Sequence, residues 1–353
     1  MTTATPTDRD RFIFVGTGGS KILTLKFNPT TGTLTPTQTQ TPSPTPSFLA
    51  LHPNLPLLFA GNEVSPGTVT SFAVSCEDGT LTRVDATESG GDGPAHVAVH
   101  PEGGSVAAAN YGGGSVGVVS VREDGTFVRG SLTRFKYSGS GPDKSRQESP
   151  HPHGVYFHPT QPLLLVPDLG TDQIHAHPLS FGSIAPPLLD LVVHRPGGAG
   201  PRHLAFHPSL PIAYLVDEML NTVSALTNDP ASGALTFTQS WSLLPDGAAR
   251  GFDITAAEIA LSKDGRFLYV SQRGHELVVV FQVSPADGSL ELVQCLKLGG
   301  RQPRHFVLAD AWMLVALQGS RAIQVLRVLE DGSLEAATIL EGLEEEPQCL
   351  VLL

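Results

Sequence analysis

The stretch PHGVYFHP at residues 152–159 is one copy of a phrase that runs through the whole chain. It reads PSFLALHP at 46–53, PAHVAVHP at 94–101 and PRHLAFHP at 201–208. Weaker copies stand as AAEIALSKDG from Ala256, PRHFVLADAW from Pro303 and PQCLVLL from Pro347. Each has a lead residue, mostly Pro, then a polar or variable position, an alternating apolar run and often His-Pro. Successive copies lie 48, 58, 49, 55, 47 and 44 residues apart. A period of about 50 residues marks a repeat architecture.

The sequence between copies is all strand. After PHGVYFHP come LLLVPD, TDQIHAHPL and LLDLVVH, short runs rich in branched residues and separated by turn formers. Four strands per unit is the pattern of a propeller blade. No apolar pattern holds a 3.6 period long enough for a helical solenoid. Gly (37) and Pro (29) are in excess for the 353 residues, which suits many tight turns.

The seventh copy stops at Leu353 after one strand. The N-terminus offers the missing three: RFIFVGTGG from Arg11, SKILTLKF from Ser20 and the TLTPTQTQ region from Thr33. The expected fold is therefore all-β, a seven-bladed propeller spanning 1–353 as one domain. Its last blade is closed by the N-terminal strands plus the C-terminal strand, which leaves no open sheet edge. Residues 1–10 are expected to form a flexible lead.

The formal charge of −12 excludes nucleic acid and anionic membranes as partners, since both require a basic face. A small anionic ligand on a local arginine cluster remains compatible with it. MTTATPTDRDRF lacks the apolar run of a signal peptide, and no stretch approaches the ~18 apolar residues of a membrane span. Cys76, Cys295 and Cys349 fit neither a disulfide framework nor a zinc spacing. A soluble, cytoplasmic protein is expected.

Repeats provide an internal control, because a residue type that recurs in every blade is structural. His52, His100, His158 and His207 each precede a Pro after the first strand, and a turn role is favoured over a metal. Asn62, Asn110, Asp168, Asp217 and Gln272 recur at the end of the second strand and are assigned to the following hairpin. Two columns break. One reads Glu63, Tyr111, Leu169, Glu218, Arg273, Gln318; the other reads Ser47, Ala95, His153, Arg202, Ala257, Arg304, Gln348. Antiparallel pairing puts both on one rim, at the mouth of the central channel.

That rim gathers His153, Arg202, Glu218, Arg273 and Arg304, with His151 and His275 close in sequence. Guanidinium groups suit bidentate carboxylate or phosphate, and His or Glu supplies an acid or base. The plainer alternative is a set of inter-blade ion pairs such as Arg202 with Glu218. The insertion YSGSGPDKSRQESPHPHG lies before one first strand, where Arg146, Gln147 and His151 could form a partial lid. A second long connection, LLPDGAARGFDITAAEI, leads to Glu258. There is no GxSxG elbow, P-loop, GxGxxG after a strand, HExxH or EF-hand loop, so neither a cofactor nor a metal is expected.

Four segments together resemble the lactonase family of seven-bladed propellers: RQESPHPHGVYFHP, GPRHLAFHPSLPIAYLVDE, AAEIALSKDGRFLYVSQRGHELVVVF and QPRHFVLAD. That family includes propeller-type 6-phosphogluconolactonases and fungal carboxy-cis,cis-muconate cyclases. The resemblance implies a catalytic set of His153, Arg202, Glu218 and Arg273, and the reading of the rim and the insertion adds Arg304, His275, His151 and Arg146 as substrate contacts. It implies hydrolysis of a sugar lactone, 6-phosphogluconolactone first, with no cofactor. A muconate cyclase reaction on a carboxylate substrate is the alternative, and a non-enzymatic propeller scaffold is the third reading. Departures from the family pattern are VDE at 216–218, Gly154 after His153, and Leu317 in the last blade.

Overall fold

Apolar residues fill both faces of the second strands, such as Leu57–Asn62 and Ile212–Asp217, every residue of which is buried. The fourth strands, such as Leu290–Lys297, expose most of theirs. A sheet with this gradient must bury its inner strands against neighbouring sheets, and seven of them do so around a central channel. The computed structural model describes residues 10–180, 182–245, 251 and 253–353. Among these, seven antiparallel sheets form and no α-helix is present. None of the described helical turns is long and apolar enough to cross a membrane.

Each blade runs outward in chain order. Blade 4, for example, is Pro201–Phe206, Ile212–Asp217, Thr222–Asn228 and Leu235–Ser242. The first strands of successive blades pack on one another and line the channel. The cores lie between blades: Tyr214 and Val216 of blade 4 share a cluster with Leu268 and Val270 of blade 5. The ring closes as expected. Pro347–Leu352 pairs with Arg11–Thr17, followed outward by Lys21–Asn28 and Thr33–Pro42. Leu353 N–H donates to Phe12 O at 2.9 Å, and Arg11 Nε donates to Leu353 O at 3.0 Å.

The His-Pro histidines cap their turns. Nδ1 of His52 accepts from the backbone N–H groups of Asn54 and Leu55, and His207 does the same for Ser209 and Leu210. His158 takes Thr160 and Gln161, and His100 takes Glu102. The Asn/Asp column is likewise structural. Asn62 donates to Thr68 and Thr70, and Asp217 holds buried Arg195 at 2.9 Å.

Blade 3 departs from expectation. LLDLVVH does not form a full strand: Leu189–Leu191 is a 3-10 turn and only Val193–His194 joins the sheet. Pro186 and Pro187 just before it lack N–H donors, which breaks the ladder at that point. The innermost strand is also cut to Tyr156–Phe157, and just before it Val155 N–H donates to His96 Nδ1 of blade 2 at 3.4 Å. The expected flexible lead lies outside the described residues except for Asp10. So do residues 246–250 and 252 of the connection to Glu258.

Candidate active site at the channel mouth

The repeated phrase places the site by a repeated irregularity. Pairing of the first with the second strand shifts register after the lead residue in blades 1, 2, 4, 5 and 6: between Pro46 and Phe48, Pro94 and His96, Pro201 and His203, Ala256 and Ile259, and Pro303 and His305. A bulge leaves one residue outside the ladder and re-aims its side chain. The second position of the phrase is that residue, so Arg202 and Arg304 leave the pleat at the rim. In blade 3, Pro152 makes an isolated bridge to Asp168 and His153 N–H donates to Pro167 O at 2.9 Å. Gly154 is required there, because a Cβ would stand 2.8 Å from Arg202 O and 2.6 Å from the Tyr156 ring.

Glu218 is the centre. Its Oε2 accepts from Arg202 Nε at 3.0 Å and pairs with Arg273 Nη2 at 3.0 Å, and its Oε1 accepts from Arg146 Nη2 at 2.6 Å. His153 Nε2 lies 3.9 Å from Oε2. Arg202 Nη1 and Arg273 Nη2 also donate to the carbonyls of Ala257 and Ala256, which fixes both guanidiniums to blade 5. The Arg202–Glu218 pair anticipated as a plain ion pair does form, yet the same carboxylate holds two further arginines. Arg146 arrives from the insertion, whose base is pinned by buried Gln147. Gln147 Nε2 donates to Leu169 O and to Asp172 Oδ1, both at 2.8 Å. Asp172 also accepts from Gly198 and Gly200 N–H and so ties the insertion to the entry of blade 4.

Charge follows from this packing. Burial opposes ionisation of Glu218, but Arg273, Arg202 and Arg146 outweigh it and hold the carboxyl far below the ordinary carboxylate range. Burial, aided by Arg202, holds His153 well below the ordinary imidazole value, so the ring is neutral. Burial and neighbouring Arg273 push Arg202 down to about 10. Buried His153 Nδ1 and Arg273 Nε have no hydrogen-bond partner among the described residues. A cleft of about 700 Å³ opens over the cluster, lined by Arg146, Glu218, Arg273, Arg301, Arg304 and Gln318 among others. Arg304 has no ion pair among the described residues. No group of three or more His, Cys, Asp or Glu among the described residues is arranged to hold a metal.

The structure therefore brings His153, Arg202, Glu218, Arg273 and Arg146 together and puts Arg304 on the same cleft. His151 stands one ring back: it stacks on Tyr111 at 4.5 Å, and Tyr111 meets His153 edge-on at 5.6 Å. His275 does not join. It is half-buried, its carbonyl takes Lys297 Nζ at 2.6 Å, and its ring lines no part of the cleft. The third position of the phrase, which carried no expectation, supplies a further layer: Phe48, His96, His203, Glu258, His305 and Cys349. That column breaks as sharply as the second, and its breaking was the available signal.

A propeller with a cationic, carboxylate-organised cleft at its channel mouth is the class that fold and site define. The family model described as "Lactonase, 7-bladed beta-propeller" matches residues 3–344, and the chain belongs to that family. The chain is 33% identical to the 6-phosphogluconolactonase of Bacillus subtilis over 270 residues, covering 74% of this chain and 73% of the relative. It is 28% identical to the 6-phosphogluconolactonase of Formosa agariphila over 328 residues, covering 90% and 91%. Among solved structures it superposes on the periplasmic gluconolactonase of Pseudomonas aeruginosa with a TM-score of 0.89 at 27% identity, covering 98% of this chain and 99% of the other. The family and the fold read from the sequence are borne out.

Proposed function

We propose that the protein hydrolyses 6-phosphogluconolactone to 6-phosphogluconate at this cleft. The carrying observation is the charge count: Arg146, Arg202 and Arg273 share one carboxylate, Glu218, and Arg304 on the same cleft has no ion pair among the described residues. Such a site wants an anionic substrate. Arg273 lines the cleft with an unpartnered Nε and is the donor for the developing oxyanion, with Arg202 behind it. Losing one such donor costs about 2.7–4 kcal/mol of barrier. His153 is neutral and keeps a lone pair for the proton of the attacking water. Glu218 is too strongly stabilised as an anion to serve as base, and its part is to hold three guanidiniums in register.

Arg304, with Arg301 on the same wall, takes the phosphate. Arg146 closes over Glu218 from the insertion, and it contacts the substrate from there. The enzyme is placed in the cytoplasm, a reading supported by three unpaired cysteines, two of them exposed. The test is turnover of freshly generated 6-phosphogluconolactone by the wild type and by His153→Asn. Removal of a general base is expected to lower turnover ~10²–10⁴-fold with the fold intact. Equal turnover in the two proteins rejects His153 as base.

A further inference from the structure

Beneath the arginines the channel is closed by side chains from several blades. Phe48 and His96 rings stand 4.1 Å apart, His96 and His203 5.1 Å, and Phe48 and His305 5.6 Å. Within this plug lies one carboxylate that the proposed reaction does not use. Glu258 Oε2 is 3.1 Å from His203 Nδ1 and 3.4 Å from His305 Nε2. Its Oε1 accepts from Ile259 N–H at 3.0 Å.

The neighbours determine where the protons sit. Leu350 N–H donates to His305 Nδ1 at 3.3 Å, so Nε2 carries the hydrogen and faces Glu258 Oε2 at 3.4 Å and Cys349 Sγ at 3.7 Å. Arg202 Nη1 lies 3.1 Å from His203 Nδ1 and 3.4 Å from its Nε2. A guanidinium only donates. A nitrogen this close to both ring nitrogens lies over the ring face, so Arg202 packs against the His203 ring while Nδ1–H donates in the ring plane to Glu258 Oε2 at 3.1 Å. Burial holds His203 well below the ordinary imidazole value and pushes His305 down to about 4, so both rings are neutral donors. A chain of contacts then runs from Glu218 through Arg202 and the His203 ring to Glu258, with His305 beside it.

We propose that Glu258 is the second anion of the site, a positioning residue that acts through His203 to hold the Arg202 guanidinium on Glu218. The proposal rests on the lactonase reading of Arg202 and Glu218. An isolated buried carboxylate is strongly disfavoured, and two converging N–H donors together with nearby Arg202 account for this one. Burial and Arg273 draw proton affinity away from Arg202, whereas Glu218 and Glu258 both return it. Among the described residues, the remaining charged or titratable groups around the plug are His96, His153, Tyr156, Cys349, Arg273 and Arg304.

The test pairs kinetics with a spectroscopic readout. In Glu258→Gln, kcat is expected to fall about tenfold or more while KM stays within about twofold, the size of a lost hydrogen bond to a charged group. A wild type active on 6-phosphogluconolactone with an equally active Glu258→Gln overturns the proposal and leaves the lactonase reading standing. A wild type inactive on that lactone removes the lactonase reading instead. The second readout does not depend on activity: long-range nitrogen–proton correlation spectra of protein labelled with ¹⁵N-histidine. His203 is expected as the Nδ1–H tautomer in the wild type and as a different tautomer or a mixture in Glu258→Gln. An Nε2–H tautomer of His203 in the wild type contradicts the proposal whatever the kinetics.

Discussion

Blades 1 and 4 carry the same phrase on the same frame. Both bulge after the lead proline, at Pro46/Phe48 and Pro201/His203. Both cap the next turn with histidine, His52 and His207, and both bury a polar residue at the end of the second strand, Asn62 and Asp217. The two columns that follow the frame then separate them. Blade 1 has Ser47 and Glu63; blade 4 has Arg202 and Glu218. Glu63 is half-buried with no ion pair among the described residues, whereas buried Glu218 holds three arginines. One backbone supports either arrangement, so the chemistry resides in what occupies the bulge and the residue beyond the second strand.

That comparison is easily tested by making the same change twice. Glu218→Gln leaves three guanidiniums around a neutral side chain, and breaking a buried pair in this way costs about 3–5 kcal/mol. Activity is expected to fall ~10³-fold or further with it, as the oxyanion donor loses its support. Glu63→Gln should change stability by no more than about 0.5 kcal/mol. Denaturant unfolding of the two variants measures both effects. Equal costs would erase the distinction between the blades.

A smaller effect, in acid, sharpens the contrast. His96, His153, His203 and His305 all meet at the channel, and burial lowers the pKa of each from the ordinary 6.5. Below about pH 6.5 the unfolded chain takes up protons that the folded chain refuses, so stability is lost as pH falls from there. Glu218, also depressed, adds a loss of the same sign below its ordinary 4.5. The melting temperature should therefore drop steadily between about pH 7 and pH 5, with more than one proton bound on unfolding. A flat profile would mean that these histidines take up protons in the folded protein as readily as in the unfolded chain.

The phrase made the ring legible, because a repeat of about 50 residues with one strand left over permits one closure. The columns made half of the site legible, since Arg202, Glu218 and Arg273 differ from their counterparts in other blades. Glu258 and His203 stayed hidden for a physical reason. Their partners stand on other blades, and only closure of the ring brings Phe48, His96, His203 and His305 into contact. Arg146 was legible as a loop residue and not as a ligand of Glu218, because its reach depends on Gln147 and Asp172 pinning the insertion. LLDLVVH misled through its run of branched apolar residues, which two preceding prolines override.

The most direct measurement is the decay of freshly generated 6-phosphogluconolactone, followed with no protein, with the wild type and with Arg273→Ala. The account predicts that the wild type accelerates opening above the spontaneous rate and that the variant loses ~10²–10³-fold of that acceleration. A wild type that leaves the spontaneous rate unchanged, or a variant as fast as the wild type, would contradict a lactonase site on this rim.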